Sequence, residues 1–128
     1  MISSYRKKYS IADRRNEMSR IKSKYPDRIP IIVSKDPNCK LNNISKEKYL
    51  VQAELTIGQF MIIIREKASL KPEETINLFI IDYDNNQILV QSSATLGSIY
   101  DRYVSQCQNS KNYDGYLYFV YTSENVFG

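Results

Sequence analysis

No histidine occurs among the 128 residues. That excludes the usual general base, the Ser-His and Cys-His nucleophile pairs, and the commonest zinc ligand. Cysteine is scarce as well: Cys39 and Cys107 stand alone and form neither a CxxC nor a zinc-ligand spacing. They read as two reduced thiols of a cytosolic protein. There is no GxGxxG and no GxxxxGK, so no loop is built to cradle phosphate. The expectation is a protein with no metal, no cofactor and no enzymatic activity. No apolar run approaches the roughly 18 residues that suggest a membrane span. The opening Met1-Ile2-Ser3-Ser4-Tyr5-Arg6-Lys7-Lys8 lacks the apolar stretch of a signal peptide. Any membrane attachment is therefore expected from chemistry added later or from a surface helix.

What is present fits one globular domain, with 42% hydrophobic and 25% charged residues. The net charge of +4 is unevenly placed. Up to Arg28, nine basic residues face Asp13, Glu17 and Asp27, a net of +6. The remainder holds nine basic against eleven acidic residues, a net of −2. A basic N-terminal segment on a mildly acidic body suggests an acidic partner such as a tubulin tail, nucleic acid or anionic lipid. A solvated helix face explains the same run without any partner.

Ser10 to Lys24 reads as a helix, with Ser10 as cap, Asp13 three residues on, and Ile11, Met18, Ile21 and Tyr25 on one stripe. Ser4 to Tyr9 reads as a further helical turn. The β-branched run Ile29–Val33 reads as a strand whose Pro30 belongs at a strand start or an edge. After the polar stretch Ser34–Ser45, Lys48–Gln52 reads as a second strand. Thr56-Ile57-Gly58-Gln59 matches a capping box before a helix carrying Phe60, Met61, Ile64 and Ala68. Asn77–Ile81, a turn at Asp84–Gln87 and Ile88–Val90 make a hairpin. Thr95 caps a helix with Leu96, Ile99, Tyr100, Tyr103 and Cys107 on one face. Gly115 leads into Tyr116–Tyr121, the strongest β-former of the chain. Thr122 to Gly128 carry no periodic pattern. Helix, strand–strand–helix–strand–strand–helix–strand lacks regular βα alternation, so a doubly wound sheet is not indicated. A mixed sheet crossed by one long helix, an α+β β-grasp, fits best.

Several stretches carry a family resemblance. They are Ile21-Lys22-Ser23-Lys24-Tyr25-Pro26-Asp27-Arg28-Ile29-Pro30-Ile31-Ile32-Val33, Lys48-Tyr49-Leu50-Val51, Leu55-Thr56-Ile57-Gly58-Gln59-Phe60, Ser93-Ala94-Thr95-Leu96-Gly97, Asp114-Gly115-Tyr116-Leu117-Tyr118 and Val126-Phe127-Gly128. In this order they resemble the autophagy ubiquitin-like modifiers, the group of GABARAP and microtubule-associated protein light chain 3. The resemblance implies a ubiquitin-like β-grasp with two additional N-terminal helices. Its expected parts are a basic helical extension over 1–27, a core over 28–121 and a flexible conjugation tail over 122–128.

The resemblance further implies activation at Gly128 by an ATP-using enzyme, passage to a conjugating enzyme, and transfer to phosphatidylethanolamine. A cysteine protease processes or delipidates such proteins. A glycine there has no Cβ to obstruct narrow clefts. The implied location is the cytoplasm, and the autophagosome membrane once lipidated. The implied partners are cargo receptors and adaptors with LIR-type aromatic-x-x-aliphatic peptides, with microtubules as a further possibility and no nucleic acid. Strand addition at Lys48-Tyr49-Leu50 suits such peptides. The aromatic anchor is expected among Glu17, Ile21, Pro30, Ile32, Lys48, Leu50 and Tyr116. The aliphatic residue is expected among Tyr49, Val51, Leu55, Phe60 and Ile63, although Leu55 and Phe60 suit a core equally well. Arg28, Lys46, Lys48 and Lys67 are expected to attract acidic flanks.

Some positions depart from the family pattern. Gln52 stands where proline is usual, Lys67 where arginine is usual, and Tyr116 where phenylalanine is usual. Lys67 keeps the charge but loses the planar fork. Segments 82–87 and 106–112 look longer than usual, in turns where extra length has little effect on stability. The alternative of a different class is an unconjugated binding module whose basic N-terminal helices engage microtubules or anionic membrane.

Overall fold

The computed structural model describes residues 4–123. Three side-chain caps start its main helices. Ser10 Oγ accepts the Asp13 N–H at 3.1 Å and opens α2, Ile11–Lys24, which follows the short α1, Ser4–Lys8. Thr56 and Gln59 form the reciprocal capping box, at 3.2 and 3.0 Å, that opens α3, Ile57–Lys67. Thr95 Oγ1 accepts the Ser98 N–H at 3.2 Å and opens α4, Leu96–Tyr103. The strands are β1 Arg28–Lys35, β2 Lys48–Gln52, β3 Ile76–Ile81, β4 Gln87–Leu89 and β5 Leu117–Ser123.

They form one sheet in the order β2-β1-β5-β3-β4, with β1 parallel to β5 and every other pair antiparallel. The two central strands are covered on both faces, and this explains their nearly unbroken apolar sequences. On one face α3 packs Phe60 against Phe119 and Tyr49, at ring-centroid distances of 5.7 and 5.5 Å. The other face carries Tyr118 and receives α1 and α2.

A buried polar cluster fixes those two helices to the sheet. Arg14 of α2 donates to Asp114 Oδ2 at 2.5 Å, and the Asp114 side chain is 0% exposed. Asp114 also accepts from the Tyr116 N–H at 2.9 Å and the Tyr118 hydroxyl, while the Tyr83 hydroxyl beside it, 3.0 Å away, donates to the Tyr116 carbonyl at 2.6 Å. Arg6 of α1 lies over the Tyr118 and Tyr83 rings at 4.1 and 5.0 Å. Arg15 donates to the Tyr113 and Lys111 carbonyls at 2.8 and 3.0 Å. Both segments expected to be long therefore contact the N-terminal helices.

Three details differ from the sequence-based expectations. Pro30 lies inside β1, an inner strand, because its neighbourhood tolerates a missing donor. The Val33 N–H donates toward β2, to the Glu47 carbonyl at 2.8 Å. Alternation then turns the Pro30 nitrogen to the β5 side, one residue before that ladder begins at Ile31. Cys107 does not share the α4 face: the helix ends at Tyr103, Val104 turns into the core, and Ser105–Cys107 form a 3-10 turn. Finally, β5 runs on through Thr122 and Ser123, which pair with Asn77 and Ile76. The tail expected from 122 thus begins inside a strand, and Gly128 lies outside the described residues.

Candidate functional site

The sheet leaves β2 as an outer strand. Its register against β1 decides which backbone groups face away. Val33 and Glu47 form a hydrogen-bonded pair, so Ile31–Tyr49 and Ile29–Val51 do likewise. The N–H and C=O groups of Lys48 and Leu50 consequently point outward, where an added strand can meet them.

Beside this edge lies a cavity of about 400 Å³ lined by Glu17, Ile21, Lys46, Lys48, Tyr49, Leu50 and Tyr116. It forms because α2 crosses the end of the sheet, bringing Glu17 and Ile21 over the Lys48 and Leu50 side chains. Five residues of the set expected to take an aromatic anchor meet here: Glu17, Ile21, Lys48, Leu50 and Tyr116. The other two, Pro30 and Ile32, pair with Leu50 and Lys48 on the same face of the sheet but are buried, Ile32 at 0% exposure. They back the wall rather than line the opening. Lys46, expected only as a flanking charge, lines the cavity too.

Glu17 organises the polar wall. Its Oε2 accepts from Lys48 Nζ at 2.8 Å. Its Oε1 accepts from the Tyr5 hydroxyl at 2.6 Å and from the Tyr116 hydroxyl. Burial opposes the charged carboxylate, but the donors Lys48, Tyr116 and Tyr5 outweigh it and hold Glu17 below its usual range. Burial and the Glu17 carboxylate together push the Tyr116 hydroxyl upward, so it remains a donor. The hydroxyl that Tyr116 adds relative to phenylalanine thus has its partner. Tyr5 is absent from the sequence-based set. A buried aromatic twelve positions from Glu17 leaves no spacing signal, and only the docking of α1 brings the two together.

The second expected set falls on the opposite face, between β2 and α3, except that Tyr49, which packs on Phe60 there, also lines the first cavity. Tyr49, Val51 and Phe60 are buried there, whereas Leu55 and Ile63 are half-buried. Tyr49 directs its hydroxyl to the Lys46 carbonyl at 2.6 Å, and burial pushes its pKa up to about 12. Of this set, Leu55 and Ile63 offer the accessible apolar surface. Arg28 is exposed at the start of β1, opposite Gln52, and Lys67 is half-buried at the end of α3.

The basic N-terminal segment is partly used inside the molecule. Arg6, Arg14 and Arg15 donate to internal acceptors, including Asp114 and the carbonyls of Asp82 and Tyr113. Lys22 lies over the Tyr100 ring at 4.6 Å, where burial lowers its pKa. Lys7, Lys8, Arg20, Lys24 and Arg28 are exposed. Among the described residues no helix is long and apolar enough to cross a membrane.

A mixed sheet with parallel central strands, one long helix on one face and two N-terminal helices on the other defines a ubiquitin-like protein with a helical extension. Residues 13–128 match the family described as autophagy protein Atg8, ubiquitin like. Autophagy-related protein 8 of Schizosaccharomyces pombe is 39% identical over 128 residues, covering 100% of this chain and 96% of that one. Autophagy-related protein 8d of Arabidopsis thaliana is 38% identical over 127 residues, covering 99% and 96%. The crystal structure of Trypanosoma brucei ATG8 superposes with a TM-score of 0.77 at 30% identity, covering 100% of both chains. The chain belongs to the Atg8 family of ubiquitin-like autophagy proteins.

Proposed function

We propose that the protein is a modifier joined through Gly128 to phosphatidylethanolamine, and that on the membrane it gathers receptors by binding short extended peptides along β2. One observation carries the peptide reading: the outward-facing backbone of Lys48 and Leu50 lies directly beside a cavity with apolar walls. An added strand supplies backbone hydrogen bonds, and side chains at alternate positions supply specificity. An aromatic residue fits against Ile21, Leu50 and the Tyr116 ring. An aliphatic residue further along meets Leu55 and Ile63. Lys46 attracts acids that precede the aromatic residue, with Arg28 and Lys67 at the far end. In this reading the chain itself catalyses nothing. Its partners are the activating and conjugating enzymes, the processing protease and the receptors, and it moves from cytoplasm to autophagosome membrane on lipidation.

Leu50→Ala is expected to weaken an aromatic-x-x-aliphatic peptide by about tenfold, since it removes an apolar wall of the anchor pocket. Isothermal calorimetry checks this, and unchanged affinity contradicts the assignment. For conjugation, Gly128→Ala is expected to abolish membrane recruitment in starved cells, whereas intact recruitment removes lipidation as the mechanism. The unconjugated reading has less support, because Arg6, Arg14 and Arg15 are engaged internally.

A further inference from the structure

The short helix α1 connects two distant places. Tyr5 is 2% exposed, and its hydroxyl donates to Glu17 on the cavity wall at 2.6 Å. Its neighbour Arg6 reaches the opposite way. There Nη1 donates to the Asp82 carbonyl at 3.3 Å and to Asn85 Oδ1 at 3.2 Å, and the guanidinium rests on the Tyr118 and Tyr83 rings. Arg6 is not among the residues that line the cavity. Its hold has little redundancy: among the described residues, Nε and Nη2 of Arg6 meet no acceptor. The grip therefore depends on one nitrogen and two ring faces.

The chain of contacts continues from Tyr5 to the binding edge. Glu17, fixed through Oε1 by Tyr5 and Tyr116, fixes Lys48 through Oε2 at 2.8 Å. Both are long side chains with many rotamers. When they are held before a peptide arrives, their ordering adds nothing to the free energy of binding; when released, it does.

We infer that α1 is a positioning element for the peptide cavity: Arg6, seated on the 82–86 turn, holds Tyr5 against Glu17. Any ligand or modification that draws Arg6 off that turn weakens peptide binding at β2. This rests on the reading of β2 as the peptide site. It makes the 82–86 turn a control point for a surface it does not touch.

Fluorescence anisotropy with a labelled aromatic-x-x-aliphatic peptide tests the inference. It compares wild type, Arg6→Ala, Arg6→Lys, Tyr5→Phe, Leu50→Ala and the remote control Arg102→Ala, all below the unfolding range of every variant. Arg6→Ala and Tyr5→Phe are expected to weaken binding by about three- to tenfold, the scale of coupling through packed networks. Arg6→Lys keeps a cation over the rings and is expected to stay within about twofold. Tyr5→Phe retains the edge contact with the Tyr116 ring at 5.6 Å, so its loss reports the missing hydroxyl rather than packing. It also decides the matter alone if Arg6→Ala fails to fold. Wild-type affinity in both Arg6→Ala and Tyr5→Phe, with Leu50→Ala impaired, overturns the coupling while leaving the β2 site standing. Absence of binding by the wild type overturns the β2 reading itself.

Discussion

Replacing Asp114 by asparagine removes one charge and no volume. The consequences follow from three donors that converge on that carboxylate: Arg14, the Tyr118 hydroxyl and the Tyr116 N–H. An asparagine offers one oxygen to accept, and its amide nitrogen brings two hydrogens toward groups that already donate. Arg14, with a side chain 9% exposed, is left as a buried cation without a counter-charge. Breaking one partner of a buried pair typically destabilises by about 3–5 kcal/mol. A domain of this size has about 5–15 kcal/mol in total, so the variant loses a large share of its stability. The unfolding temperature is expected to fall by roughly 10–20 °C. Urea denaturation followed by circular dichroism, with tyrosine fluorescence as a second probe, measures the change. Adding Arg14→Met removes the stranded cation, and the double variant is expected to recover about 1–2 kcal/mol over Asp114→Asn alone. A loss below about 1 kcal/mol for Asp114→Asn would falsify the view that this pair fastens α2 to the sheet.

Three other outcomes follow from the same packing. Gly115 has φ +88°, and a Cβ there meets Met18 Cγ at 2.7 Å, so Gly115→Ala is expected to destabilise by about 2 kcal/mol. A Gly115→Ala midpoint equal to wild type in urea contradicts that. Burial raises the hydroxyls of Tyr49 and Tyr121 to about 12. A pKa raised on folding gives stability that is complete below the unfolded value near 10 and lost as pH climbs toward the folded values. Alkaline unfolding and the ionisation of Tyr49 and Tyr121, followed by ring-carbon NMR, should rise together; their ionisation near pH 10 in a still-native protein refutes it. Glu17 works in the opposite sense, since its depressed pKa gives stability present above the ordinary carboxylate value and lost as pH falls through the folded one. In Tyr5→Phe its carboxyl should titrate at higher pH by carbon NMR, and an unmoved titration argues against the Tyr5 contact.

The fold was legible where its causes are local. Ser10, Thr56 and Thr95 are caps that act within three residues, and each opens the helix expected of it. β2 was legible because Tyr49 and Val51 alternate with Lys48 and Leu50 between buried and accessible faces. The resemblance added the meeting of Glu17, Ile21, Leu50 and Tyr116, four residues on three segments that no spacing rule connects. What stayed hidden is long-range and polar. Arg14 and Asp114 lie a hundred positions apart, and each alone reads as an ordinary surface charge. Arg6 and Tyr5 belong to a helix of five residues, too short for periodicity to speak. Pro30 read as an edge signal because a missing donor is tolerated equally well just outside a ladder.

The most direct test of β2 as the docking edge is amide exchange on isotope-labelled protein with and without an aromatic-x-x-aliphatic peptide. The register turns the Lys48 and Leu50 N–H groups outward while Tyr49 and Val51 pair with β1. Bound peptide is therefore expected to slow exchange at Lys48 and Leu50 and to leave Tyr49 and Val51 nearly unchanged. Protection appearing at β4, the other edge of the sheet, with Lys48 and Leu50 still exchanging freely, contradicts the account.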